Sequence, residues 1–379
     1  MTNILHITAD YPDVIAPGKT RAVKSLLDSS PGFNHLVYSM NRATGLGGIE
    51  KHPDESDNVI SFRYKAPPLG LLQETFLNPV ADWIYEDLQR REVHIDVIHA
   101  HKLTIEGVIA LRLSEKLQCP FVSSLWGNTD QKYIRAKPEK KSLYREVATK
   151  AAQLLPAAPW IQEYVIKRLN LETGNFTDLP VITESDTYLQ SQVSGAGLVS
   201  AYNLDIYRTK GTVKLLDAIS MVVKEGEDIQ LTIFGRGSEK SIAAVNSLIA
   251  KNKLQEHVKL GGVVPHENIQ ETFSQYQAFV LPTLTESYGM VYIEALFSGV
   301  PVLYSGGRGV DGFFDDVEIG YKCDPKSTRD IAHGLTCLIS IEEKLKSNIS
   351  ELQHNGFFEK FRKHSVVQTY SELINKVLS

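Results

Sequence analysis

Leu281–Ser305 reads LPTLTESYGMVYIEALFSGVPVLYS. The apolar run Ala278–Pro282 ends in Thr283, Thr285 and Glu286. Helix formers follow from Met290 to Phe297. Gly299 stands where a helix C-cap glycine belongs, and Val300–Tyr304 has the pattern of a buried strand. A turn between strand and helix presents free backbone N–H groups at the helix start, where an anion can bind. Two glutamates, Glu286 and Glu294, are separated by seven residues. Glu286 falls in the loop over the helix start, and Glu294 on the second helical turn faces the same crevice. Amides for a diphosphate and carboxylates for hydroxyls suit a nucleotide-sugar.

The same alternation extends outward from this stretch. Strand patterns at Gly197–Tyr202, Gln230–Phe234, Val258–Leu260 and Ala278–Leu281 are separated by helical patterns. In the first half, Ile4–Thr8, Asp96–His99 and Pro120–Leu125 read as strands, with helices from about Arg21 to Leu27 and Ile105 to Leu117. Strands alternating with helices imply parallel sheets covered on both faces. Glu184–Gly195 is polar and aperiodic, as a linker is. The expectation is an α/β protein of two Rossmann-like doubly wound domains facing a central cleft: 1–190 on the acceptor side, 191–357 for the nucleotide-sugar, and a helix in 358–379 packing back on the first domain. Ligands belong at the carboxyl ends of the strands.

At 379 residues the chain is long enough for two cores, and 42% hydrophobic with 22% charged residues is ordinary globular composition. A formal net charge of -5 argues against nucleic acid as partner. The three cysteines, Cys119, Cys323 and Cys337, have no metal-like spacing and fit a reducing compartment. No apolar run reaches membrane-spanning length, and MTNILHITADYP lacks signal-peptide features, so a cytoplasmic location is expected.

Taken together, the motifs resemble the GT-B glycosyltransferases, and within them the retaining glycosyltransferase family 4, also described as glycosyl transferases group 1. Glu286 and Glu294 match the family's E-x7-E motif, and Ser298–Val302 (SGVPV) follows it. Lys210-Gly211 before a helix resembles its K-G element. Leu231–Gly237 (LTIFGRG) resembles its strand and G-x-G turn, and Val258–Val264 its next strand. Ile4–Pro12, Asp96–His101, Phe121–Asp130 and the FRKHSVVQTYSELI tail add weaker matches. The resemblance implies sugar transfer from a UDP- or GDP-sugar with retention of configuration, without metal or other cofactor, in cell-surface polysaccharide synthesis.

It also implies roles for particular residues. Glu294 accepts the ribose hydroxyls, and Glu286 holds the donor sugar. The backbone at Ser287, Tyr288, Gly289, Met290 and Val291 binds the diphosphate, with Gly289 permitting close approach. Lys210 offsets charge on the leaving diphosphate. The family's arginine is missing around Ser200–Asn203, leaving Arg208 and Arg236, in the Gly235 turn, as candidates for the second cation. Gly18, with Lys19 and Thr20, faces the diphosphate from the first domain. Trp126 stands where many relatives have a histidine. Asn128, Asp130 and His101 remain as acceptor or sugar-side residues. His99 and His101 are not expected to bind metal, because no third ligand with suitable spacing follows.

Asp130–Lys150 carries Lys132, Arg135, Lys137, Lys140, Lys141, Arg145 and Lys150 against three acids. A solvated helix face and a peripheral contact with the inner membrane face, or with a lipid-linked acceptor, both fit this stretch. Two other function classes also stay open: a sugar-nucleotide epimerase on the same fold, and a non-catalytic subunit supporting a partner enzyme.

Overall fold

The computed structural model describes residues 1–53, 56–190 and 195–379. The expected linker Glu184–Gly195 falls partly on residues 191–194, which lie outside the described residues. The chain divides into two compact units, Met1–Ala157 with Ile161–Ile182 and Lys363–Ser379, and Ala158–Trp160 with Thr183–Arg362.

The first unit is built on a seven-stranded sheet. Its strands are β1 (Asn3–Thr8), β2 (Asn34–Ala43), β3 (Ile49–Lys51), β4 (Val59–Lys65), β5 (Val97–Ala100), β6 (Phe121–Leu125) and β7 (Gln153–Pro156), in the order β3-β4-β2-β1-β5-β6-β7. All pairings are parallel except β3 with β4. The helices on this part of the chain are α1 (Ala22–Asp28), α2 (Gln73–Arg90), α3 (Glu106–Leu117), α4 (Asn128–Ala136), α5 (Lys141–Lys150) and α6 (Pro159–Leu169). β1 is central, with β2 on one side and β5 on the other. The direction of winding reverses there, and a crevice opens beyond the carboxyl ends of the two strands.

The second unit has six parallel strands: β8 (Leu198–Ala201), β9 (Leu231–Phe234), β10 (Val258–Gly262), β11 (Ala278–Val280), β12 (Val302–Ser305) and β13 (Gly320–Cys323). Their order is β10-β9-β8-β11-β12-β13, so winding reverses between β8 and β11. Its helices are α7 (Thr212–Lys224), α8 (Glu239–Lys251), α9 (Ile269–Ser274), α10 (Met290–Phe297), α11 (Thr328–Ser340) and α12 (Glu342–His354). α10 ends as its glycine announces: Gly299 N–H donates to Leu296 O and Val300 N–H to Ala295 O, the paired bonds of a Schellman stop. β12 begins at Val302 rather than Val300, because Pro301 has no N–H to give the ladder.

The last helix, α13 (Lys363–Leu378), belongs to the first unit. Val366, Tyr370, Leu373 and Ile374 are buried in one cluster with Ile4, Val37, Val97 and Val122, so the apolar stripe of α13 closes over the sheet. The Tyr370 hydroxyl also meets His99 Nδ1 at 3.1 Å.

Candidate active site

In the second unit the loops following β8 and β11 meet where the winding reverses. The Thr209 carbonyl accepts from Leu284 N–H (2.8 Å), Thr285 N–H (3.3 Å) and the Thr283 hydroxyl (3.1 Å). The next residue, Lys210, then has its ammonium 2.5 Å from Glu286 Oε2, with both side chains about one-seventh exposed (15% and 14%). Gly211 makes the approach possible. Its φ is +78°, and a Cβ there would lie 1.8 Å from the Pro282 carbonyl oxygen.

Gly289, at φ +79°, turns the chain into α10, whose first-turn amides have no partners inside the helix. Packing within the chain also bears on Gly289. A Cβ there would strike the Tyr292 ring at 2.6 Å and Glu286 Cγ at 3.1 Å, so intramolecular packing already demands glycine. The loop is fixed from three directions. Trp160 Nε1–H donates to Ser287 O (3.1 Å), Gly309 N–H to Glu286 O (3.3 Å), and the Tyr292 hydroxyl to Leu281 O (2.6 Å). The Tyr288 side chain is buried edge-on to Phe313, so Tyr288 presents only backbone. Met290 and Val291 open the helix, and Glu294 lies buried on its second turn.

Both candidate arginines are exposed. Arg208 stacks over Tyr207 (5.2 Å), and Arg236 lies in the turn after β9, where its carbonyl accepts from Leu204 N–H. The arginine set against the motif loop is Arg308. Its guanidinium donates to the Leu284 and Gly306 carbonyls, and burial pulls its pKa down. The sequence reading missed it. Its signal was the Gly-Gly-Arg-Gly run directly after β12, at a carboxyl strand end.

In the first unit, Gly18 lies exposed in the loop after β1, with open space around its Cα. That loop is organised by Asp13, another residue not singled out. Asp13 accepts from Ile15 and Ala16 N–H, the Ser39 hydroxyl (2.5 Å), Asn41 Nδ2 (2.7 Å) and Lys19 Nζ (3.3 Å). Lys19 is thereby tied to Asp13. Asn128 and Trp126 are partly exposed beyond β6. Asp130 has a structural occupation: fully buried, its Oδ1 accepts from Thr104 N–H (2.9 Å) and hydroxyl (2.8 Å), and burial raises its pKa. Beside it lies a group the sequence reading passed over. Lys102 Nζ is 2.5 Å from Asp10 Oδ2 and 3.6 Å from Glu106 Oε1, and burial pushes the Glu106 carboxyl up to about 7. Asp10 follows β1 and Lys102 follows β5, both at carboxyl strand ends, the rule that could have found them.

The reason given against a metal at His99 and His101 also needs correction. A third imidazole exists: His6 pairs with His99 across β1 and β5, and the three rings bring nitrogens within 4.8 Å of one another. Two of them, His6 and His101, join His35 in a hydrogen-bond relay. The Ser30 carbonyl accepts from His35 Nε2–H (2.9 Å), leaving His35 Nδ1 to accept from His6 Nε2–H (2.9 Å). His6 Nδ1 must then accept from His101 Nε2–H (3.1 Å). Burial lowers the pKa of His6, His99 and His101, that of His99 to about 3, so the rings are neutral. The relay ends on His101 Nδ1, which has no partner among the described residues, nor has Trp126 Nε1–H. Both residues line one cavity of about 20 Å³. An acceptor and a donor thus face a space fit for one hydroxyl-sized group.

The basic stretch splits in two. Lys137 is 8% exposed and donates to the Gly70 carbonyl (2.8 Å), and Lys140 pairs with Glu74. Lys132, Arg135, Lys141, Arg145 and Lys150 are exposed. Among the described residues, no helix is long and apolar enough to cross a membrane.

Residues 199–353, which span β8 to α12, match the family described as Glycosyl transferases group 1. That match covers the segment from β8 to α12, and the chain as a whole has the GT-B fold. The chain is similar to the N-acetyl-alpha-D-glucosaminyl L-malate synthase of Bacillus anthracis, at 23% identity over 304 residues covering 77% of each. Sucrose-phosphate synthase from Thermosynechococcus elongatus superposes with a TM-score of 0.74 at 17% identity, over 100% of this chain and 99% of that one. Anabaena HepE, solved in complex with UDP, gives 0.69 at 15% identity over 99% and 100%. These two likenesses concern the fold.

Proposed function

We propose that this chain is a group 1 glycosyltransferase moving a sugar from a UDP- or GDP-sugar to a glycan or lipid-linked acceptor, with retention of configuration and without a metal ion. The observation that carries the reading is the Lys210–Glu286 contact of 2.5 Å beside the first turn of α10, with Glu294 one turn further on. The α10 amides and Lys210 bind the diphosphate, and the ammonium offsets the charge that builds as it leaves. Glu286, once Lys210 turns to the phosphate, accepts hydroxyls of the sugar. The bond from the anomeric carbon to the phosphate oxygen breaks while the acceptor hydroxyl oxygen bonds to that carbon from the same face. A departing phosphate oxygen takes the hydroxyl proton, so no protein nucleophile is needed. Arg308, held against the Leu284 carbonyl, supports the reading as the second cation better than Arg208 or Arg236, both exposed. HepE is solved with UDP, which supports a nucleotide of this kind as the leaving group. The exposed residues Lys132, Arg135 and Lys141 are the peripheral contact for an anionic membrane surface, on the cytoplasmic side.

A panel of UDP- and GDP-sugars tests the proposal, offered with candidate glycan acceptors, L-malate and EDTA. Release of UDP or GDP dependent on acceptor and unaffected by EDTA is expected. Interconversion of the sugar nucleotides would indicate an epimerase. Binding without turnover across the panel would indicate a supporting subunit.

A further inference from the structure

Glu294 has a partner that the E-x7-E spacing does not announce. His266, in the single helical turn after β10, brings Nε2 to 3.3 Å from Glu294 Oε1 and Nδ1 to 3.5 Å from Glu184 Oε2. The ring thus stands between two carboxylates, and the charges of both favour its imidazolium form. The Glu294 side chain is 6% exposed. A carboxylate withdrawn from water that far calls for a counter-charge. His266 supplies one while occupying a single lone pair of Oε1. Oε2 and the second lone pair of Oε1 stay available to two vicinal hydroxyls.

We propose that His266 is a positioning residue for the donor nucleotide: as imidazolium it holds the Glu294 carboxylate oriented toward the ribose, and donor affinity falls when the ring loses its proton. The inference rests on the reading of Glu294 as the ribose ligand. The charges acting on the ring are Glu294 on α10 and Glu184 on the segment entering the unit. The hydrogen bond to Glu294, then both charges, lift its pKa above the ordinary value against the opposing effect of burial. The affinity is therefore highest below neutral pH and declines as pH rises through that raised value.

Titration of UDP and of GDP into the full chain from pH 6 to pH 9 tests this, using wild type, His266→Gln, His266→Lys and Glu294→Ala. Ionisation of the nucleotide is common to all four, so the ratio of each variant's Kd to wild type isolates the ring. His266→Gln is expected to bind about tenfold more weakly than wild type at pH 6, as loss of one charge-assisted hydrogen bond implies, and equally at pH 9. His266→Lys is expected to keep the low-pH wild-type affinity across the range. A ratio independent of pH, or full-strength binding by His266→Gln at pH 6, overturns the proposal. Glu294→Ala separates the two layers. If it binds like wild type, the ribose reading fails and this inference with it. If it binds weakly while the His266→Gln ratio stays flat, only the positioning role fails. If wild type binds neither nucleotide, both fall.

Discussion

Gly211→Ala tests how the active site is assembled. A Cβ at this position would lie 1.8 Å from the Pro282 carbonyl oxygen, where ordinary contact begins at 3.4 Å. The chain segments must separate by about 1.5 Å, and that gap removes the geometry of the three donors on the Thr209 carbonyl. Each such bond contributes about 0.5–1.5 kcal/mol net, and alanine at φ +78° costs about 1–2 kcal/mol more. The sum is about 2.5–6.5 kcal/mol, a large share of a typical folding free energy of about 5–15 kcal/mol. Lys210 moves with the backbone, and a displacement of about 1 Å at a reacting group costs about 100-fold in rate. Gly226 supplies the control: its φ is +96° but a Cβ there meets nothing within 4 Å, so Gly226→Ala bears the conformational cost alone. Urea unfolding and initial rates of UDP or GDP release should show Gly211→Ala far below Gly226→Ala in both. Equal stability and equal rates for the two variants would refute the packing argument.

Three further outcomes are expected. Lys210→Met should lower turnover about 100-fold or more while leaving affinity for the free nucleoside unchanged, read by kcat alongside calorimetry; a loss confined to KM would contradict its role at the leaving group. Burial pushes the Glu106 carboxyl up to about 7 from its ordinary 4.5, so the folded chain keeps a proton that the unfolded chain has lost between those values. Its contribution to stability is therefore complete below pH 4.5 and about 3 kcal/mol smaller by pH 8, with buried Asp130 adding in the same direction; Glu106→Gln should flatten that slope in denaturation measured at pH 5 and pH 8. Charge reversal at Lys132, Arg135 and Lys141 together should abolish co-sedimentation with anionic vesicles, whereas unchanged pelleting would dispose of a membrane contact there.

Most of the donor-side architecture was legible because it is local. Strand, glycine-bounded loop and helix follow one another within Leu281–Ser305, so α10 could be placed at Met290–Phe297 from helix formers and a C-cap alone. The first unit was less legible. β2 and β4 went unread although turn residues bound them, Pro31-Gly32 before β2 and Pro67-Pro68 after β4, because β2 carries Asn41 and Arg42, and β4 Arg63 and Lys65, among its apolar residues. The site residues missed are those whose meaning is tertiary. Arg308, His266, Asp13 and Lys102 are ordinary polar residues until the sheet order brings Leu284, Glu294, Ser39 and Asp10 to them. Likewise His6 and His101 are 95 positions apart, and only the pairing of β1 with β5 joins them. Asp130, read as a possible sugar ligand, is fully buried, and its Oδ1 fastens the backbone at Thr104.

The most direct test of the account is calorimetric titration of UDP and GDP into wild type and Glu294→Ala at one pH and salt concentration. Replacing a carboxylate that accepts two ribose hydroxyls should weaken binding of the preferred nucleotide by about 100-fold or more, from about 1.5–3 kcal/mol per charged hydrogen bond. Equal affinity in the two proteins would contradict the placement of the donor nucleotide at α10.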